Sequence, residues 1–369
     1  MKKGIIIIGA GAAGIGFGVA LKDLEYDDFL ILESETIGNS FKNWPQETRF
    51  ITPSFTSNGF GMPDLNAVSF STSPAYSLGK ERLAGKEYAQ YLELVAKGYE
   101  LPLLEHQKVN EIKKEDNRYQ VYTDSKSFEA KYIIFAVGQY STPDKSFGNI
   151  GIHYSEVQSW KQFTNEKQIV IGGNESGIDA ALNLAKNGNK VNVYTQKSGL
   201  SAPDADPSIR LSPYTRQKFF ALNANQRQNI KIHEKMELKR LTQQKNKYLL
   251  EFANGHLIEA KTEPILCTGF KNGAVKLQQN LFEEEEGTVL LNDYDESLKA
   301  QNIFLVGPDV RHQNAIFCYI YKFRQRFAVI IEEIAKRENL QIDKEKIAEY
   351  QKNSFYLANC NNCVVACDC

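Results

Sequence analysis

The sequence predicts an α/β protein made of two Rossmann-like dinucleotide-binding domains, the second inserted into the first. Three observations predict it. A β-branched run, Ile5 to Ile8, enters the glycine turn Gly9-Ala10-Gly11-Ala12-Ala13-Gly14 and an apolar helical stretch, after which the strand Phe29 to Leu32 ends at Glu33. The same order of strand, glycine turn, helix and strand starts again at Ile169 and closes at Tyr194, around Gly172-Gly173-Asn174-Glu175-Ser176-Gly177. A late strand, Ile303 to Val306, then meets Gly307-Pro308-Asp309, so the first domain is completed after the second and both chain ends belong to it.

The remaining elements follow from periodicity. Gly14 to Asp23 carries apolar residues at helical spacing, and Glu87 to Lys97 reads as a second helix. Ser34 to Gly85 is rich in Ser, Thr, Pro, Asn and aromatics without a clear period, and loops of that length in a folded domain are usually functional. Leu103 to Lys131 predicts short strands separated by polar turns, and Tyr132 to Val137 an apolar strand ending at Gly138. In the second domain the strands Ile169 to Ile171 and Lys190 to Tyr194 flank a helix over Ile178 to Lys186. Tyr248 to Ala260 predicts a hairpin, and a strand ends at Ile265-Leu266-Cys267-Thr268-Gly269. Ala315 to Lys336 has the length and spacing of one amphipathic helix, with a further helical stretch at Asp343 to Lys352.

Composition narrows the function classes. At 369 residues two domains are favoured, and 42% hydrophobic with 24% charged residues is ordinary globular usage. Lys plus Arg (44) against Asp plus Glu (45) leaves no global basic field to hold nucleic acid. Gly4 to Leu21 has no charge, yet six glycines within it spoil a spanning helix, so a soluble, cytoplasmic protein without a membrane partner is expected. Six cysteines, at 267, 318, 360, 363, 367 and 369, form no disulfide framework.

Each glycine of the first loop has a task. Gly9 makes the tight turn, Gly11 lets the backbone approach a pyrophosphate, and Gly14 lets helix pack on strand, while the free N–H groups of the helix start attract the anion. Glu33 is placed to accept hydrogen bonds from an adenosine ribose. The second loop keeps the first and third glycines and puts Asn174 at the middle position, where the expectation is a positive φ that asparagine tolerates. The strand after it ends Tyr194-Thr195-Gln196-Lys197-Ser198, with no carboxylate to repel a 2′-phosphate, which favours NADPH over NADH; Lys197 is equally readable as a solvated surface lysine.

These motifs resemble the flavin-dependent, two-dinucleotide-binding oxidoreductases, and within them look most like the flavin-containing monooxygenases. The matching residues are the first loop with Glu33, Ile37-Gly38-Asn39-Ser40-Phe41 with Trp44-Pro45, the strand-end turns Ala136-Val137-Gly138 and Cys267-Thr268-Gly269, the second loop with Asp179, and Gly307-Pro308-Asp309. The resemblance covers roughly residues 1 to 335. It implies that FAD is held by Gly9, Gly11, Ala12, Ala13, Gly14, Glu33, Ser40, Phe41, Trp44, Val109, Ala136, Gly138, Asp309 and Ala315, with Asp309 on the ribitol. It implies that NADPH is held by Gly172, Asn174, Glu175, Ser176, Gly177, Gln196, Lys197, Thr268 and Gly269. The expected boundaries are an FAD-binding domain over 1–150 and 269–352, an NADPH-binding domain over 151–268, and a cysteine-rich tail over 353–369.

The activity implied is reduction of FAD by NADPH, reaction with O₂, and a C4a-hydroperoxyflavin that oxygenates a small organic substrate. Arg49, Asn58 and His312 are the catalytic candidates by motif position, each equally open to a structural reading, and a substrate pocket is expected in part along Trp44 to Phe70. A homodimer is compatible with this family. The monooxygenase fingerprint FxGxxxH is only partly present: Phe147 and His153 fit, Asn149 replaces its glycine, and Thr52-Pro53-Ser54 stand where an asparagine is expected. His153 then reads either as a hinge residue or as a hydrogen-bonded connector.

The alternative is a flavoprotein disulfide or thiol reductase on the same scaffold. The redox cysteine pair of thioredoxin and glutathione reductases is missing, and the bacillithiol disulfide reductase type has a cysteine in its first glycine loop where this chain has Ala13. Cys360, Cys363, Cys367 and Cys369 offer thiols on the tail for redox transfer, while their spacing argues against a metal site, so no metal is expected. A non-catalytic flavin redox sensor is the third reading. Glu283 to Glu286 reads as a solvated acidic loop, Cys267 and Cys318 as packing residues, and Arg311 to Asn314 as a helix start facing the flavin or as a polar cap.

Overall fold

A computed structural model describes residues 1–55, 62–164, 166–201, 210–313 and 315–359. Asn58 and the four tail cysteines lie outside the described residues. The chain divides into two units. Among described residues the first comprises 1–42, 52–55, 62–142, 271–313 and 315–359, and the second comprises 43–51, 143–164, 166–201 and 210–270.

The first unit opens with β1 (Lys2–Ile8), α1 (Ala12–Asp23) and β2 (Phe29–Leu32). Ile5 to Ile8 of β1 and all four residues of β2 are buried, which is what β-branched and apolar runs covered on both faces of a parallel sheet require. Helix α1 is buried from Ala12 to Leu21. Among its described residues the aperiodic stretch after it contains only the short helices α2 (Asn39–Lys42) and α3 (Pro74–Leu78), and α4 (Gly85–Gly98) follows. Then come β3 (Leu103–Leu104) and the antiparallel β4 (Val109–Glu115), β5 (Arg118–Thr123) and β6 (Ser127–Phe135). Strand β6 is one long strand, joining what the sequence reads as a polar strand and an apolar one, because its first half pairs with β5 and its second half runs beside β1 in the core.

The second unit contains β7 (Ile152–His153), β8 (Lys167–Ile171), α5 (Glu175–Lys186), β9 (Lys190–Tyr194), α6 (Pro213–Phe220), α7 (Ala224–Gln228) and β10 (Ile230–His233). Its antiparallel meander β11 (Leu238–Gln244), β12 (Lys247–Phe252), β13 (Leu257–Ala260) precedes β14 (Ile265–Leu266). The five-stranded sheet runs β10-β9-β8-β14-β7, parallel throughout, and packs Trp160, Ala180, Leu184 and Val193 beneath it.

The chain then returns to the first unit with α8 (Gly273–Leu277), the hairpin β15 (Glu284–Glu285) and β16 (Thr288–Val289), which buries Val289 and exposes both glutamates, and β17 (Ile303–Leu305). The first sheet runs β3-β2-β1-β6-β5-β4, with β17 pairing β6 in parallel. The single amphipathic helix expected over Ala315 to Lys336 is a hairpin, β18 (Arg311–His312) with β19 (Ala315–Ile316), then α9 (Ile320–Phe323), a 3-10 turn at Arg324–Arg326 and α10 (Phe327–Arg337). The start of this stretch is therefore strand, and Arg311 to Gln313 do not begin a helix. The helical run is interrupted where Arg324 and Arg326, both buried, turn inward to backbone carbonyls. Helix α11 (Lys344–Lys352) closes the described chain, capped by Asp343.

The units divide at Thr142/Pro143 and Phe270/Lys271, where the sequence places the boundaries at 150/151 and 268/269. Segment 43–51, read as part of the first domain, groups with the second. Among the described residues no helix is long and apolar enough to cross a membrane.

Candidate functional site

The first glycine loop turns at Gly9, whose φ of +104° suits glycine alone and whose Cβ, if present, would lie 2.7 Å from the Ala136 carbonyl oxygen. A Cβ on Gly14 would lie 1.9 Å from the Gly9 carbonyl oxygen, so helix and turn are packed backbone on backbone. Gly11 differs: a Cβ there would meet nothing within 4 Å. As N-cap of α1 it offers no side-chain hydrogen bond to the helix start, leaving N–H groups of the first turn aimed at open space. That cradle fits a pyrophosphate.

Glu33 is buried at the end of β2 and holds the loop rim. Its Oε2 accepts the Ala10 N–H at 2.7 Å, and Oε1 accepts the Glu35 N–H at 2.9 Å and the Ser34 hydroxyl at 3.1 Å. One acceptor site, on Oε2, remains for a ribose hydroxyl. The Gly38 N–H binds the Ala10 carbonyl at 3.0 Å and lays 33–42 over the loop, with Ser40 and Phe41 in α2 and Phe41 edge-on to Tyr88. Val109 and Ala136 are buried, Gly138 has a positive φ, and Ala315 lies in β19. Asn66, buried, spends its amide on the Thr52 carbonyl and the Ser54 hydroxyl.

Asp309 follows Gly307, whose missing side chain admits the Ala13 methyl group. No described residue donates a hydrogen bond to its carboxylate. Burial pushes its pKa up to about 6, offset in part by Arg311. An orphaned, part-buried carboxylate beside the cradle fits a polyol hydroxyl of a bound FAD. Arg311 donates instead to the Pro308 and Val310 carbonyls.

The second loop repeats the backbone packing, a Cβ on Gly177 lying 1.9 Å from the Gly172 carbonyl oxygen. Asn174 corrects the expectation of a positive φ: it is extended at φ −102°, as any residue can be, and caps α5 without a side-chain bond. Glu175 is drawn away to the Ser212 N–H and the Thr215 hydroxyl, leaving the first-turn N–H groups for an anion. Gln196 and Lys197 are exposed after β9, and the Thr195 hydroxyl donates to the Lys197 carbonyl at 2.9 Å. Nearby Glu234 accepts from Ser201 and Ser198, which lowers its pKa.

Trp44 and Arg49 lie in segment 43–51, within the second unit. Glu47 accepts from the Ser159 hydroxyl (2.6 Å) and the Trp160 N–H (3.1 Å), and Thr48 donates to Asp179 (2.9 Å), which also binds Tyr154 and Lys218. Arg49 folds onto the Gln46 and Thr48 carbonyls. No motif marks this fastening in the sequence, because each partner is more than a hundred residues away.

His153 is a connector. It is 1% exposed, its Nε2–H donates to the Gly269 carbonyl at 3.0 Å, and its Nδ1 accepts from Ser155 at 2.8 Å. The Thr268 hydroxyl ties the same turn to the Asp144 carbonyl. Burial lowers the His153 pKa below 6.5. The neutral ring's contribution is therefore complete above that value and is lost as pH falls through the lower, folded-state value. The melting temperature is expected to drop between about pH 7 and about pH 5, and less so in His153→Gln. At about pH 8 that variant should be roughly 1 kcal/mol less stable for its lost Ser155 bond. Equal slopes in thermal melts would exclude this role.

Among the described residues no His, Cys, Asp and Glu cluster could hold a metal. Neither Cys267 nor Cys318 is joined in a disulfide, and burial raises the Cys267 thiol pKa far above its usual value, so it is no nucleophile.

A family model described as pyridine nucleotide-disulphide oxidoreductase matches residues 6–307. The chain is 25% identical over 346 residues to bacilliredoxin reductase of Bacillus subtilis, covering 92% of this chain and 99% of that protein. Among solved structures, bacillithiol disulfide reductase of Staphylococcus aureus aligns with a TM-score of 0.73 at 19% identity, covering 92% and 99% of the two chains. A flavin-containing monooxygenase of Stenotrophomonas maltophilia aligns at 0.68 and 15%, covering 91% and 99%. The last two show a shared two-domain α/β fold.

Proposed function

The chain belongs to the pyridine nucleotide-disulphide oxidoreductase family, and from that premise we propose that it is an NADPH-dependent flavoprotein reductase of a small disulfide. Its cofactors are FAD and NADPH. The observation that carries the disulfide reading is the match to bacilliredoxin reductase, which runs through nearly all of both chains. The expected oxygenase activity rests on more distant likeness, and the reductase reading replaces it here.

In this reading the first unit holds FAD, with the pyrophosphate against Gly11 and the start of α1, the adenosine ribose at Glu33 and the ribitol at Asp309. The second unit holds NADPH at the start of α5, with Lys197 toward the 2′-phosphate. When bound, the flavin supplies two-electron chemistry between nicotinamide and disulfide. The chain's part is to orient both nucleotides and supply protons. No pair of cysteines stands among the described residues, and position 13 carries a methyl group, so a thiol relay, if used, would draw on Cys360, Cys363, Cys367 and Cys369.

An anaerobic assay tests the proposal. NADPH consumption with bacillithiol disulfide, glutathione disulfide or cystine should release two thiols per NADPH, with turnover on the order of 1 per second or faster for the right acceptor. NADPH use that requires O₂ and releases no thiol would return the oxygenase reading, and negligible turnover with every acceptor would favour a sensor.

A further inference from the structure

Asp295 is completely buried, and its backbone sits in the left-handed region at φ +61°. Its carboxylate is held from two directions. Arg326, 1% exposed, donates Nε to Oδ2 at 3.0 Å and Nη2 to Oδ1 at 3.2 Å. His312 donates Nε2–H to Oδ1. Arg326 is itself fixed by the carbonyls of Asp293, Leu357 and Ala358. The imidazole ring is also packed edge-on to Phe317, while no described residue hydrogen-bonds its Nδ1.

A buried arginine–carboxylate pair is seldom the cheapest way to stabilise a core, since apolar side chains of the same volume do as well or better. What the pair does accomplish is to fix an imidazole in one tautomer and orientation with its second nitrogen open, the arrangement that acid–base chemistry uses. The location agrees. His312 is three residues beyond Asp309, at most about 11 Å along the backbone, on the hairpin that takes the place of the expected helix start.

We propose that His312, oriented by Asp295 and Arg326, is the acid that protonates the thiolate released when the disulfide is cleaved. This rests on the disulfide reductase reading. The balance is NADPH + H⁺ + RSSR → NADP⁺ + 2 RSH. The S–S bond takes the electron pair that NADPH supplies, one sulfur takes the proton from His312 Nδ1, the other takes the proton accompanying the hydride, and solvent reprotonates the ring. Asp295 and Arg326 are positioning residues.

The test is His312→Gln measured with acceptors that differ in their need for a proton. For alkyl disulfides, the ratio of disulfide to ferricyanide turnover should fall about 100-fold, the ordinary range for loss of a general acid. With an aromatic disulfide whose thiolate leaves unprotonated, the fall should shrink to about threefold or less. In FAD-free protein, a downfield, exchange-protected imidazole N–H resonance should be present in the wild type and absent from His312→Gln and from Asp295→Asn. Equal losses for alkyl and aromatic disulfides, an unchanged ratio, or no such resonance would overturn the proposal. A wild-type protein that reduces no disulfide would instead remove the reading beneath it, while leaving the resonance to be found.

Discussion

Gly11→Val is expected to give a folded protein that has lost its yellow colour, whereas Gly14→Ala is expected to lose the fold. Both residues belong to one six-residue loop, and a motif comparison treats them alike. The structure separates them. Gly11 has φ −80°, open to any residue, and a side chain there would enter space that no protein atom occupies within 4 Å. The substitution should cost the apoprotein about 1 kcal/mol or less, in line with other N-cap changes. It places a branched side chain where the pyrophosphate would lie, and FAD affinity should fall more than about 100-fold, close to 3 kcal/mol. At Gly14 the added methyl group meets a backbone oxygen at 1.9 Å, and neither helix nor turn can move without separating β1 from α1. A loss of about 3 kcal/mol or more follows. Flavin absorbance after FAD addition and thermal melts of the FAD-free proteins read the two effects separately. If Gly11→Val retains FAD, the cradle is not the pyrophosphate site.

Much of the fold was legible because its signals are local. The runs Ile5 to Ile8, Phe29 to Leu32 and Lys190 to Tyr194 are strands, as their β-branched and apolar content predicts, and the glycine spacing marks both helix starts. What escaped the sequence depends on distant partners. Ala315 to Lys336 has a helical period, yet the pairing of 311–312 with 315–316 and the break at Arg324–Arg326 win, because buried guanidinium groups must reach the carbonyls of Asp64, Ala67 and Leu357. Analogy with glycine predicts a positive φ at Asn174, but the turn is already made at Gly172 (φ +107°), so residue 174 stays extended. Trp44 and Arg49 were assigned by motif order, while Glu47 and Thr48 tie that segment to Ser159, Trp160 and Asp179. His312 was visible as a candidate, but Asp295 and Arg326 were not, since no spacing rule links residues seventeen and fourteen positions away.

Asp309→Asn should act in opposite directions on the apoprotein and on the holoprotein. The folded-state pKa of Asp309 is raised from 3.8 to about 6, so the favourable contribution of the protonated carboxyl is complete below about pH 4 and is lost as pH rises through about 6. At about pH 8 the FAD-free protein therefore carries an ionised, part-buried carboxylate without a hydrogen-bond donor. Replacing it with a neutral amide should stabilise that form by about 1–3 kcal/mol and flatten its melting temperature between about pH 5 and about pH 8. The same carboxylate is the stronger acceptor for a ribitol hydroxyl, and its loss should weaken FAD binding about 10- to 100-fold. A residue kept for folding would not behave this way, because its removal would lower both stability and affinity. Binding relieves the penalty by supplying the missing donor, which makes the strained carboxylate a sign of the ligand it awaits. Melts of FAD-free wild type and variant at the two pH values, with FAD titrations beside them, decide the matter; a variant less stable at about pH 8, or one that binds FAD as tightly as wild type, would place the ribitol elsewhere.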